Sequence, residues 1–198
     1  MPALRPPRSR KRRGWRIVFS RRPFQVTVQV SRQVSRGQVV GQHGVTVMRR
    51  KLQSTSRFHY QLTGAPRSTL TFALPKDFLP LDVKATALSD WYLDRRGESP
   101  LLVVQLGRTM LGRVEAVITG SRLHDPNAPS AEIVLPQPQE VTRLESTLAI
   151  WTDESYRASV QAAEGWRAVD AGTAGPDLQR LRARAADSVR FSVVDGGA

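Results

Sequence analysis

The chain has 198 residues, 40% of them hydrophobic, which is enough to bury a real core, and it contains no cysteine. The missing thiol excludes a disulfide framework, a cysteine nucleophile, an iron–sulfur cluster and a cysteine zinc site. The formal charge of +13 is sharply divided: residues 1–76 hold 17 Lys/Arg and no acid, whereas residues 77–198 hold 13 Lys/Arg and 17 acids. Such a divide calls either for a polyanion partner or for attraction between the two parts of the chain.

The first segment sets Pro2, Pro6 and Pro7 beside a basic cluster, Arg8 to Arg13. Prolines among repelling charges oppose packing, so residues 1–20 are expected to be a disordered basic arm. Arg8, Arg10, Lys11, Arg12, Arg13 and Arg16 are its candidate polyanion-binding residues, with Trp15 available to stack on a base. An apolar stretch after the basic cluster is too short and interrupted for a secretory signal. The run Ser20-Arg21-Arg22-Pro23-Phe24 has the form of a twin-arginine export signal, but residues 26–38 alternate with polar and charged side chains where such a signal needs an apolar stretch.

From Phe24 onward the pattern is that of strands. Phe24, Val26, Val28 and Val30 alternate with polar residues in period two. A second extended stretch, 39–49, is interrupted by Gly41 and Gly44, a spacing suited to a bulge or turn. Residues 58–62 alternate again, placing His59 on an outer face, and Gly64-Ala65-Pro66 then predicts a turn into a strand carrying Leu70, Phe72 and Leu74. Further short strands are expected at 83–88, 91–93, 101–106, 113–119 and 132–135, separated by the turn-rich stretches 94–100 and 124–130. Pro136-Gln137-Pro138 marks a junction, followed by a run with Leu148 and Ile150 and by 166–169. Gly175 and Pro176 open a short helix over about 175–187, and 189–193 form a last strand.

The expected fold is therefore mostly β, an antiparallel β-sandwich or partly open barrel-like sheets, with one short C-terminal helix and a disordered basic N-terminal arm. Its expected division is an arm at 1–20, a β-sandwich domain at 21–136 and a smaller β-rich segment at 137–198, separate or packed on the first as one unit.

The stretch from Tyr60 to Gly120 resembles a recurrent β-module of very large bacterial envelope proteins of unknown function. The matching positions are Leu74-Pro75, Asp90-Trp91, the charged turn Asp94 to Gly97, and Gly112, with STLAIWTD and GWRAVD as the continuation. The resemblance spans about residues 24–194 and implies an extracytoplasmic β-sandwich within a longer architecture, whereas the absence of a clear export signal fits a cytoplasmic protein.

Chemistry is sparse. His43, His59 and His124 lack the close spacing of a metal site, and no cofactor loop or nucleophile elbow is present, so no metal or cofactor is expected. Asp90, Asp94 and Glu98, or Asp153 and Glu154, offer carboxylate pairs of the kind glycoside hydrolysis uses, but all sit in turn-like stretches where solvated acids are normal. Trp91, Trp151 and Trp166 read as core aromatics in preference to a carbohydrate platform. The expected function is a non-enzymatic structural or interaction β-module, a unit of an envelope protein with protein or anionic-polymer partners. Nucleic-acid or other polyanion binding through the Arg-rich part is the first alternative, and a hydrolase with no recognisable motif the second.

Overall fold

The computed structural model describes residues 33–128, 130–152, 165–169, 177, 180–181 and 190–197. Among these residues nine strands make one sheet: β1 Arg36–Val47, β2 Lys51–Ala73, β3 Leu79–Ala85, β4 Leu88–Asp94, β5 Leu101–Leu123, β6 Gln137–Pro138, β7 Arg143–Thr152, β8 Trp166–Val169 and β9 Arg190–Gly197. The main path runs β3-β5-β2-β1-β7-β9-β8, with β4 also on β5 and β6 on β2. Every pairing among these strands is antiparallel except β1 with β7, which is parallel. The described strands do not close on themselves, so the expected mostly β, open architecture is found.

The long strands β2 and β5 explain how a single sheet encloses a core. Phe58 and Phe72 both lie on β2, and a straight strand would hold them roughly 46 Å apart at about 3.3 Å per residue. Their ring centroids are instead 4.9 Å apart, so the strand folds back on itself. The corner falls where the β2–β5 register breaks between Leu62 and Arg67 and again between Arg67 and Thr69. Gly64 supplies a φ of 78° there, and Gly112 supplies 82° on the partner strand. A Cβ on Gly64 would stand 2.3 Å from the Val34 carbonyl oxygen, so the corner also needs the smallest residue for space.

This geometry corrects two expectations. Gly64-Ala65-Pro66 is a bulged corner inside one strand and not a hairpin turn, and residues 101–106 and 113–119 are the two arms of the single strand β5. The hairpin in this region is β1–β2, closed by Met48 and Lys51 through backbone hydrogen bonds of 2.9 and 3.4 Å. Residues 132–135 form no strand, although Leu135 is buried. The predicted helix at 175–187 is not confirmed: it lies largely outside the described residues, of which Asp177 is helical and Arg180 and Leu181 form a turn. The predicted strand at 24–30 also lies outside them.

The two arms enclose the main core, built on Phe58, Tyr60, Leu62, Leu70, Phe72, Leu102, Val104, Val114 and Ile118. Trp91 packs on its margin. A second cluster of Val45, Val47, Leu52, Leu135, Leu148 and Ile150 lies at the other end of β1, with Trp166 against it. Trp91 and Trp166 thus sit at the margins of cores, and Trp151 is buried.

Arg67 locks the corner to the strands beside it. Its Nε donates to Ser35 Oγ at 2.7 Å, just before β1, and its Nη2 donates to the Glu140 carbonyl at 2.7 Å, just before β7. Thr142 N donates to the Gly37 carbonyl at 2.8 Å. These bonds set the start of β7 alongside β1, which fixes their parallel register.

Candidate functional site

Residues in register across a sheet point to the same face, so the topology itself assembles the polar face. Gln38 pairs with Gln61 on one side and Arg143 on the other, and Gln61 pairs with Arg113. The next same-face row is Glu145, Val40, His59 and Glu115, and the one after it is Thr147, Gln42, Arg57 and Val117. An amide row flanked by arginines therefore lies beside a row flanked by glutamates, about 7 Å away along the strands.

These first two rows line a groove of about 620 Å³, with Thr86 from the β3–β4 turn beside Glu115. The Thr86 Oγ1 accepts from the Glu115 backbone N–H at 3.0 Å. Val40 is 46% exposed, so the middle of the groove is an apolar spot ringed by polar groups.

Farther along the strands the same face is closed. A Cβ on Gly44 would approach Leu181 Cβ at 2.7 Å, the Leu181 carbonyl oxygen at 2.9 Å and the Trp151 ring at 2.9 Å. Gly44 thus lets the turn at Leu181 lie directly on the sheet. Between covered and open halves, Gln42 Oε1 and Arg57 Nε are buried without a hydrogen-bond partner.

The groove's charges are mostly paired. Glu115 faces Arg57 Nε through Oε1 at 3.4 Å and His59 Nδ1 through Oε2 at 3.8 Å. Neither contact meets hydrogen-bond geometry, so Glu115 acts on both as a nearby charge. Arg143 pairs with Glu145. Arg113 lines the groove with no carboxylate partner among the described residues. Among the described residues lining the groove, hydroxyls come from Thr86, which accepts from the Glu115 backbone, and from Tyr60, whose hydroxyl is buried. The arrangement suits recognition of a polar ligand better than covalent attack.

A second polar cluster is on the core face. His43 is buried, its Nδ1 2.9 Å from Ser56 Oγ and its Nε2 3.4 Å from Ser146 Oγ, with its ring edge-on to Phe58 at 5.3 Å. Burial lowers its pKa to about 4. Gly41 leaves room for the ring, since a Cβ there would be 2.7 Å from His43 Nε2. Burial likewise raises the Tyr60 hydroxyl above its usual range, with Arg67 opposing, and that hydroxyl has no hydrogen-bond partner among the described residues.

Of the residues singled out in the sequence, His59 is on the wet face as expected, and His124 belongs to a turn, its Nε2 2.7 Å from the Met48 carbonyl oxygen. Asp94 is held down to about 2 by the Arg96 guanidinium that hydrogen-bonds it, an exposed turn contact. Among the described residues no group of three or more His, Asp or Glu is placed to hold a metal. Arg8, Arg10, Lys11, Arg12, Arg13, Trp15 and Arg16 lie outside the described residues. The groove carries no sequence signal of its own, because its members are ordinary wet-face residues on four strands.

No protein-family model matches the sequence, and no curated protein matches it. Among solved structures, the M1 zinc metallopeptidase from Deinococcus radiodurans is similar at 11% identity and a TM-score of 0.49, covering 82% of this chain and 38% of that one. Leukotriene A4 hydrolase from Saccharomyces cerevisiae is similar at 10% identity and a TM-score of 0.46, covering 89% of this chain and 32% of that one. The chain thus spans less than two-fifths of the length of these neighbours. The expectation of a non-enzymatic envelope module finds no support here, since these similar solved structures are chains of enzymes.

Proposed function

We propose that this chain is a substrate-holding β-sheet domain of a larger hydrolytic enzyme, and that the open half of its polar face takes a short extended segment such as a peptide. The supporting observation is the groove itself: carboxamides, charges of both signs and an exposed Val40 share one face, next to a half of the same face that Leu181 covers. Peptides present amides, side chains and charges of both signs, and a row-patterned surface matches them group for group. The surroundings supply recognition, and the chemistry belongs to the remainder of such an enzyme.

Titrating the isotope-labelled chain with millimolar N-acetylated tripeptides tests this. Backbone amide shifts are expected to cluster at Gln38, Val40, His59, Gln61, Arg113 and Glu115. Shifts scattered over the molecule, or none, overturn the reading.

A further inference from the structure

We propose that Arg113 is the anchor of this groove and that it selects ligands bearing a free carboxylate. This rests on the proposed binding role of the groove and adds the ligand's chemistry. Three arginines, Arg57, Arg113 and Arg143, stand in or beside the groove against two glutamates, Glu115 and Glu145. Glu145 is taken by Arg143, while the two oxygens of Glu115 face Arg57 and His59. One cation is left over, and it is the exposed Arg113, which no carboxylate of the described residues meets.

The surroundings of Arg113 also fit an anion. Its register partner is Gln61, and the partner of Gln61 is Gln38, so two carboxamides continue the row. Neither amide side chain hydrogen-bonds another described residue, so both have N–H groups to offer a bound anion. A guanidinium takes a carboxylate through two parallel N–H···O bonds, which fixes orientation as well as adding attraction. With its carboxylate on Arg113, an extended ligand lying along the amide row toward Arg143 passes beside exposed Val40 in the adjoining row.

The experiment compares N-acetyl-Ala-Val-Ala bearing a free C-terminal carboxylate with the same peptide as its C-terminal amide, titrated into the intact chain. The carboxylate form is expected to bind about fivefold more tightly, the upper end for an ion pair at an exposed site. Arg113→Gln is expected to erase that preference, Arg113→Lys to keep part of it, and Arg108→Gln, at an exposed position outside the groove lining, to leave it unchanged. Equal binding of the two peptides by the native chain overturns the carboxylate anchor but leaves the groove as a peptide site. Failure of both peptides to bind overturns the groove reading itself. Inorganic phosphate displacing the carboxylate peptide at equal concentration overturns carboxylate selection, since the site is then a general anion site.

Discussion

Acidification tests the buried His43 directly. Its pKa is lowered to about 4 from 6.5, because the imidazolium loses its hydration among Phe58 and the strand backbones. The two facing groups, Ser56 and Ser146, are neutral hydroxyls, so no carboxylate offsets that loss. As pH falls below 6.5 the unfolded chain takes up the proton first, and stability therefore declines between 6.5 and 4, then levels off. Linkage over that window makes the loss from pH 7 to pH 5 about 2 kcal/mol. For a domain of this size, that is a fall of roughly 4 to 8 °C in Tm. Thermal unfolding followed by circular dichroism at both pH values measures it. Other groups titrate over the same range, so His43→Gln is the reference: it keeps a donor and an acceptor for the two serines and removes the ionisation. The variant should lose about 4 to 8 °C less than the native chain between the two pH values. If both lose the same amount, the buried imidazole does not control the response. A His43 ring resonance that titrates near 6.5 would refute the same reasoning without dependence on the variant's stability.

Phe72 joins the two arms of the folded sheet through Phe58 and Tyr60, so Phe72→Ala should lower the urea-unfolding free energy by about 3 to 5 kcal/mol. Gly64→Ala forces an L side chain to a φ of 78° and against the Val34 carbonyl, and should cost about 2 kcal/mol or more by the same assay. Gly112→Ala tests the partner corner with a different outcome: nothing lies within 4 Å of its Cβ, so only the strain of its φ of 82° applies, about 1 to 2 kcal/mol. Arg8, Arg10, Lys11, Arg12, Arg13 and Arg16 are proposed to bind polyanions. The salt dependence of duplex DNA binding should therefore fall by a slope of about 5 when residues 1–20 are removed, at about 0.9 per phosphate. An unchanged slope would exclude the arm.

Period-two alternation places the faces well where one strand can be judged alone: Phe58, Tyr60 and Leu62 are buried while His59 and Gln61 are wet. The corner is misread from sequence because its local signal is shared. A glycine with positive φ beside a proline serves a hairpin turn and a bulged corner equally, and only the partner decides between them. That partner is β5, whose own glycine, Gly112, pairs with Leu62 at the edge of the register break. Turn chemistry is local, whereas the continuity of two long strands through a shared corner is not.

The groove is hidden in the sequence for a related reason, and the charge divide shows how. Attraction between the basic and acidic parts of the chain is one of its two readings, and pairs across the divide do form: Arg57 and His59 with Glu115, and Arg67 with Glu140. Arg57 and Arg67 are thereby set against acids of the other part, which leaves fewer cations of the basic part for an outside polyanion. The unpaired cation of the groove, Arg113, comes instead from the acidic part, so no count along the chain points to it. Its isolation results from register: Glu115 stands two residues farther along the same strand, but Arg57 and His59 on β2 face both of its oxygens. Shifting β2 against β5 by one residue would turn His59 and Arg57 to the core face and free Glu115 for Arg113. The candidate site is thus a property of the pairing of β7, β1, β2 and β5, which the bulged corner and the Arg67 contacts with Ser35 and Glu140 hold in place.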